Sequence, residues 1–465
     1  MKASAPPYLP ITEETIARIR DAVGAGAVIT DAEKMEPFGK DATERGIMPE
    51  LVVAAESAVQ VEALLRLANE HRFPVTPRGT GTGLAGGSIP IAGGVVLSLA
   101  SMNRIVSIDQ DNLMAVVEPG VINADLKKAV QKEGLFYPPD PASFDTCTLG
   151  GNAATNAGGP SCIKYGTTRD YVLGLDAVLP AGESIRAGVR TRKGVVGYDL
   201  ARLIVGSEGT LGVITRLFLK LIPAPQAVTT LVALYPDLPS AMRSVATTLA
   251  RGYVPCALEF LDRHCLELVG DLLPFEGVAE AGAFLLVETD GPSALIDREI
   301  EAIGEICMDC GAVDALLAPD SYKRAKMWEV RKEVSLRIER DSPLYIPEDV
   351  TVPISRIADL VSRLPEFESR FGMKIYSFGH AGDGNIHLNI TAETRDAGER
   401  VEEGIGEVLR LVLSMDGTIS GEHGIGLAKK RFLPLELSST SIRLQRGIKR
   451  LFDPNCILNP GKIFE

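Results

Sequence analysis

Long apolar runs are missing from this sequence. The most continuous ones, around Val95–Ala100 and Ala281–Val287, fall far short of the ~20 residues that cross a bilayer, so no transmembrane segment is expected. Clustered Lys and Arg are missing too. The 48 basic residues stand against 61 acidic ones, a formal charge of −13, which argues against a surface built for nucleic acid or an anionic membrane. Cysteine is sparse and unpatterned. Seven residues at irregular spacing give neither a disulfide framework nor an iron–sulfur pattern. Cys307 and Cys310 form one CxxC inside a helix-like run with no second pair, so plain helix thiols are expected there. The opening stretch MKASAPPYLPITEETIAR carries no apolar h-region, and no cleavable leader is expected. The chain reads as cytoplasmic and reduced. Histidine is scarce, at five in 465 residues, so each one carries information.

What is present is an ordinary globular composition, 45% hydrophobic and 23% charged, with length for two or three domains. The first half predicts alternating strands and helices. Leu51–Ala55 reads as a strand, and Ser57 opens a helix with Gln60 three residues on as a capping box. Val61, Leu64, Leu65 and Ala68 recur at i, i+3, i+4, i+7, one stripe for a sheet to cover. Val95–Leu99, Ile105–Ile108 and Met114–Val117 predict strands, Asn123–Glu133 a helix, and Leu175–Leu179 and Leu211–Leu221 further strands. Between them Pro138–Gly166, rich in Gly, Asn and Thr, is too long for an ordinary connection and reads as a functional loop.

Pro223 and Pro225 mark a boundary. Beyond it, strands at Val228–Leu234, Ala257–Leu261, Phe284–Glu288 and Asp314–Leu317 alternate with helices at Leu238–Arg251 and Ala294–Cys310. A long polar helix, Tyr322–Arg340, follows, then strand Val350–Val352 and helix Arg356–Arg370. Strands Lys374–Phe378 and Ile386–Ile390 and helix Gly398–Ser414 complete an α+β second domain.

The glycines are clustered. Pro77-Arg78-Gly79-Thr80-Gly81-Thr82-Gly83-Leu84-Ala85-Gly86-Gly87 contains a formal GxGxxG. A nicotinamide-type dinucleotide fold needs those glycines to open a helix, yet Ser88-Ile89-Pro90 and Gly93-Gly94 follow, which cannot continue one. The Rossmann reading fails on context. The physics of the loop survives, because residues without Cβ let successive N–H groups converge on a pyrophosphate. Arg78 adds charge, and Thr80 and Thr82 add hydroxyls. The plain alternative is a tight turn between strands, for which five glycines in the nine residues 79–87 are more than needed. Thr148–Pro160 with Lys164-Tyr165-Gly166, and Gly206–Gly212, are two more such passages. Three small-residue loops suit an extended ligand with several polar segments, as a flavin dinucleotide is.

Together PRGTGTGLAGG, PPDPAS…LGGNAATNAGG, KYGTTRDYV and VGSEGTLGVIT resemble the flavoproteins of vanillyl-alcohol-oxidase fold (FAD-binding PCMH type). Within them the likeness is to the FAD-linked D-2-hydroxyacid dehydrogenases, a group that includes D-lactate dehydrogenase and the glycolate oxidase catalytic subunit. The resemblance runs from about residue 45 to Asn459-Pro460-Gly461-Lys462. It implies an α+β chain with a two-part FAD-binding domain at 1–225. A substrate or cap domain with an antiparallel sheet, carrying metal and base, follows at 226–440, and residues 441–465 return to the FAD domain. By the same likeness Arg78, Gly79, Thr80, Gly81, Thr82 and Gly83 cradle the pyrophosphate. Pro139, Asp140, Ser143, Leu149, Gly150, Gly151, Asn152 and Asn156 line the flavin further, with Ser207, Glu208, Gly209, Thr210, Gly212 and Val213. No histidine lies in these loops, so FAD is expected to be non-covalent.

Gly379-His380-Ala381-Gly382-Asp383-Gly384-Asn385-Ile386-His387-Leu388-Asn389 is the most informative stretch. Ile386, Leu388 and Ile390 alternate with His387 and Asn389, one strand face apolar and the other polar. The Ala-Gly-Asp-Gly turn can bring His380 back beside His387. Ser420-Gly421-Glu422-His423-Gly424 then holds a carboxylate and an imidazole between glycines. Two histidines and a glutamate with an open position suit a catalytic divalent metal, zinc before manganese. His380, His387 and Glu422 would be its ligands and His423 a free base; the alternative is hydrogen-bonded core histidines. The family resemblance assigns the same roles to GHxGDGNxHxN and GEHG. It also implies that Arg331, on the long polar helix, clamps the substrate carboxylate, against the plain reading of a solvated helix charge. His71 and His264 carry no role.

These parts imply oxidation of a D-2-hydroxyacid such as D-lactate or glycolate to the 2-oxoacid. Electrons would pass to a separate acceptor: an electron-transfer flavoprotein, a quinone or an iron–sulfur subunit. The alternatives are a D-2-hydroxyglutarate dehydrogenase and a non-catalytic flavin relay subunit. The D-2-hydroxyglutarate enzymes of the family carry a lysine two residues before the Asp of the strand that matches Asp349–Pro353, and here that residue is Pro347. Ile346 makes this wall still less polar, and Glu348 would repel a second carboxylate if it faced the site.

Overall fold

The computed structural model describes residues 8–43, 46–273 and 278–464. The chain forms two compact units. The first takes in the chain up to Ala157, then Thr167–Ala224 and everything from His423 on; the second is Gly158–Gly166 and Pro225–Glu422. The second unit thus ends at Glu422, where the sequence placed the return at 441.

In the first unit, a four-stranded sheet runs in the order Val28–Ile29, Leu51–Ala54, Val95–Ser98, Val75–Arg78. The last three strands are parallel, and they are short apolar runs because both faces of such a sheet are covered. Helix Ala58–His71 covers one of them: Val61, Leu64, Leu65 and Ala68 are each 0% exposed. Ser57 caps that helix at the Gln60 amide, while the Gln60 side chain reaches past the cap to the Glu56 amide at 2.7 Å. A second, antiparallel sheet has the order Ile105–Asp109, Met114–Val117, Val213–Lys220, Val172–Val178, Ser184–Gly188. Val178 and Val213 from it join the core of the first sheet.

The passage 138–166 is not the continuous loop its composition predicts. It contains helices Leu149–Thr155 and Cys162–Tyr165. Gly, Asn and Thr are poor helix formers, and packing overrides them. Thr148 caps the first helix at the Gly151 amide, 3.2 Å, and Gly150 lies so close to Pro119 that a Cβ would collide.

The second unit is built on a seven-stranded antiparallel sheet. Its order is Asp314–Leu317, Ala227–Tyr235, Ala283–Gly291, Ala257–Asp262, Lys374–His380, Asn385–Ala392, Leu344–Thr351. Helix Ser321–Asp341 lays Met327, Val330, Val334 and Ile338 into a core with Leu261, Phe284, Leu286 and Phe378. The segment 158–166 is tied to the sheet by Tyr165, whose hydroxyl donates to Asp290 Oδ2 at 2.6 Å, and by Lys164, which pairs with the same carboxylate.

The C-terminal segment is anchored in the first unit by one buried acid. Val75 exchanges backbone bonds with Ile457 and Asn459, both 2.8 Å. Asp453, 0% exposed, accepts from the amides of Ile457 (3.1 Å) and Leu458 (2.9 Å) and pairs with Lys449. Asp453→Ala leaves those buried groups without their acceptor. It is expected to lower stability by about 3–5 kcal/mol, read from the denaturant midpoint of urea unfolding, with a far smaller effect for the exposed Asp359→Ala.

Candidate functional site

The residues expected around a flavin all fall in the first unit, and their loops meet there. Thr80, beyond strand Val75–Arg78, donates through Oγ1 to the Thr146 carbonyl at 2.9 Å. The amides of Gly206 and Glu208 donate to Ala153 and Ala154 at 2.9 and 2.8 Å, laying that loop along helix Leu149–Thr155. Asn123 fixes the Pro139 carbonyl at 3.1 Å, and the Ser143 carbonyl accepts from Thr146 and Cys147. Some groups are left for a ligand. Asn152 Nδ2 and Ser207 Oγ are buried without a hydrogen-bond partner, and a Cβ on Gly83 would meet nothing within 4 Å. Orphaned donors, together with open space at a glycine, fit a large polar cofactor.

Other residues in this group are committed to the protein itself. The Arg78 guanidinium donates to the carbonyls of Pro37 (3.1 Å), Thr80 (3.2 Å) and Lys40, and burial lowers its pKa. Asn156 ends its helix at φ 54° and accepts through Oδ1 from the Arg169 amide at 2.9 Å. Glu208 accepts from the amides of Ile425 and Gly426, each at 2.8 Å. Burial raises the Glu208 pKa against the pull of those amides and Lys462. This carboxylate therefore shapes the chain just after His423.

In the second unit, strands Lys374–His380 and Asn385–Ala392 pair so that His387 lies opposite Phe378 and His380 opposite Asn385. Both imidazoles share a face, with ring centroids 5.2 Å apart. Glu422 completes the set: its Oε1 is 3.5 Å from His380 Nε2 and 3.5 Å from His387 Nε2. One donor atom from each residue lies within 4.8 Å of the others. His380 Nε2 is buried with no hydrogen bond of its own. Two imidazole nitrogens and a carboxylate oxygen converging this way fit a divalent cation. The polar strand face is more enclosed than alternation alone suggests, since Asn385 and Asn389 are buried as well.

Two residues that the sequence reading did not assign hold this set in shape. Asp349, opposite His387 in the neighbouring strand, accepts from the amides of Gly421 (2.7 Å) and Glu422 (2.6 Å). Glu259, 0% exposed, accepts from His380 Nδ1 and, through Oε2, from Arg331 Nε at 2.8 Å. Burial alone would raise the Glu259 pKa, but the His380 and Arg331 charges outweigh it and the pKa falls. Burial likewise pulls His380 down, and Glu259 with Glu422 more than reverses that. A signal for Glu259 is present in ALEFLD: an acid set between Leu258 and Phe260 inside an apolar strand, a residue type almost never fully buried unless paired.

Arg331 is not a solvated helix charge. Its side chain is 12% exposed and its guanidinium lies 4.3 Å from the Phe378 ring centre. The strand Leu344–Thr351 corrects the wall proposed around Pro347. Pro347 pairs with Asn389 and Asp349 with His387, whereas Ile346 and Glu348 pair with Ile390 and Leu388. Alternation puts Ile346 and Glu348 on the face away from the histidines. His71 and His264 lie elsewhere, beside Arg18 and the Ile375 carbonyl. None of the seven cysteines forms a disulfide among the described residues. Among the described residues, no helix is long and apolar enough to cross a membrane.

Comparison with known proteins shows the family and the fold. The model of the C-terminal domain of FAD linked oxidases matches residues 224–463, and that of an FAD binding domain matches residues 49–188. The chain is 42% identical to the glycolate oxidase subunit GlcD of Bacillus subtilis (strain 168), over 90% of this chain and 89% of that one. It is 39% identical to a D-lactate dehydrogenase of Anaerostipes hadrus, over 98% of both. Among solved structures, p-cresol methylhydroxylase with substrate bound is similar at a TM-score of 0.76 and 16% identity, over 97% of this chain and 96% of that one. This likeness concerns the fold alone, which is the vanillyl-alcohol-oxidase type.

Gly83 offers a clean test of the cradle. A Cβ there meets no protein atom within 4 Å, whereas one on Gly81, at φ +80°, would run into the Arg78 guanidinium. Gly83→Val is expected to leave the melting curve of flavin-free protein unchanged. It should cut the FAD retained through purification by at least about tenfold, measured as the flavin-to-protein absorbance ratio.

Proposed function

The chain belongs to the FAD-linked oxidase family, and we propose that it oxidises a D-2-hydroxyacid, D-lactate or glycolate, to the 2-oxoacid. One observation carries this reading: a two-histidine, one-glutamate donor set shares a buried carboxylate with an arginine, in a chain with an FAD-binding domain. His380, His387 and Glu422 would hold a divalent cation, zinc or manganese, which when bound lowers the pKa of an alcohol ligand. The loops 78–83, 139–156 and 207–213 would hold FAD non-covalently, supplying the hydride acceptor.

The chain's own residues then have distinct tasks. Arg331 binds the substrate carboxylate with the guanidinium nitrogens that Glu259 does not take, its plane fixed against Phe378. Held there, the substrate carboxylate and α-carbon are fixed in orientation. His423, next to Glu422 in the chain, takes the hydroxyl proton as general base. The substrate loses a hydride and a proton, and the two electrons leave to a separate acceptor: an electron-transfer flavoprotein, a quinone or an iron–sulfur subunit. A pure relay subunit would have no use for a donor set whose His380 tautomer is fixed by Glu259. A purified-protein assay with an artificial electron acceptor and a panel of 2-hydroxyacids tests the proposal, and no turnover of any of them would defeat it.

Two substitutions separate ligand from base. His387→Ala is expected to lose bound divalent metal and activity while keeping FAD. His423→Ala should keep the metal and lose turnover by ~100-fold or more. Equal metal loss in both, by elemental analysis, would show that the ligands are misassigned.

Substrate length follows from the strand facing the histidines. Pro347, on the His387 face, offers neither charge nor donor to a second carboxylate, and desolvating such a group without a partner costs several kcal/mol. Lys326, a neighbouring cation, is paired with Glu329 on the helix surface. We expect kcat/KM for D-lactate or glycolate to exceed that for D-2-hydroxyglutarate by at least about tenfold, or ~1.4 kcal/mol. A preference for the dicarboxylate would favour the D-2-hydroxyglutarate dehydrogenase alternative.

A further inference from the structure

We infer that Glu259 is a positioning residue that couples the hold on the divalent cation to the hold on the substrate carboxylate. The inference rests on the reading of the site given above and adds a residue to it. Glu259 sits in register between Leu286 and His380 in the middle of the seven-stranded sheet, at 0% exposure. Water does not reach it, so both oxygens need protein donors. They are divided between two: Oε1 takes His380 Nδ1, and Oε2 takes Arg331 Nε at 2.8 Å.

Each bond sets up the other end of its donor. An imidazole that gives its Nδ1 proton to a carboxylate keeps the Nε2 lone pair for a cation, and its basicity rises with the strength of that bond. Nε2 of His380 is buried, and its one polar neighbour given by the structure is Glu422 Oε1 at 3.5 Å. A guanidinium held through Nε has its plane fixed, and its two terminal nitrogens face outward as a fork for a carboxylate. Because the two bonds draw on one carboxylate, a change at either donor alters the other, and linkage makes the effect reciprocal. A carboxylate present only to neutralise a buried arginine would show no such link.

Glutamine separates these cases because it has one acceptor and one donor where glutamate has two acceptors. Turned one way, its amide N–H faces Arg331 Nε–H. Turned the other, it forces the imidazole proton onto Nε2, where it blocks the cation. In FAD-loaded protein, Glu259→Gln is expected to weaken zinc binding by at least about tenfold, measured by competition with a chromogenic chelator, at unchanged flavin content. Should that variant lose flavin, Glu259→Asp, which keeps the charge but cannot span both partners, carries the same expectation.

The second arm is Arg331→Gln, which is expected to change zinc affinity by about threefold or more, and to do so only while Glu259 is present. Zinc affinity within twofold of the parent in the Glu259 variants overturns the inference. So does an Arg331 effect of equal size in the Glu259→Gln background, which would be simple long-range charge. Absence of zinc binding in the parent chain is a separate result that overturns the metal site itself.

Discussion

A carboxylate at 0% exposure in the middle of an antiparallel sheet is a severe constraint, and the second unit is arranged around satisfying it. An ionised acid taken out of water costs several kcal/mol unless charged donors meet it in good geometry. Glu259 meets two, and they come from different directions. His380 arrives through strand pairing, because Lys374–His380 places it in register with Glu259. Arg331 arrives from helix Ser321–Asp341, whose Met327, Val330, Val334 and Ile338 stripe seats it over Phe378 and Leu261. A one-residue slip of either strand would turn His380 or Glu259 to the opposite face and strand a charge in the core. The register of this part of the sheet is therefore specified electrostatically as well as by apolar packing.

Most of the architecture was legible because its pattern is local. The stripe Val61, Leu64, Leu65, Ala68 and the alternation Ile386, Leu388, Ile390 correspond to fully or almost fully buried positions. Strands Met114–Val117 and Asp314–Leu317 and helix Gly398–Ser414 begin and end where the pattern predicts. The helix Leu149–Thr155 was not legible. Its small polar residues carry turn propensity, and only the approach of Pro119 and the loop 206–208, more than thirty residues away in either direction, makes a helix the better packing.

The candidate site divides in the same way. His380, His387 and Glu422 could be named because a polar face on an apolar strand and a Gly-flanked Glu-His are visible one segment at a time. Glu259 could not be ranked from sequence, since its meaning depends on two partners, 72 and 121 residues distant. Arg331 was hidden for the opposite reason: on a helix rich in charge it looks like its neighbours, and only burial against Phe378 sets it apart. Glu348 shows the limit of reading proximity along the chain. It adjoins Asp349 in sequence, yet strand alternation sends the two to opposite faces.

The partners of the buried carboxylates separate two kinds of work that composition cannot distinguish. Glu208 receives the amides of Ile425 and Gly426, and Asp349 receives those of Gly421 and Glu422. Backbone amides do not titrate, and these four are taken up by the carboxylates, so the two acids fix the course of the chain on either side of the Glu422–His423 bond. Glu259 receives an imidazole and a guanidinium. Those donors have second faces that can take a cation and an anion, and the state of one face bears on the bond at the other. A neutral acceptor of the same shape could take over much of a loop-fixing role. It could not replace Glu259, because only a group with two equivalent acceptors can take His380 Nδ1–H and Arg331 Nε–H at once.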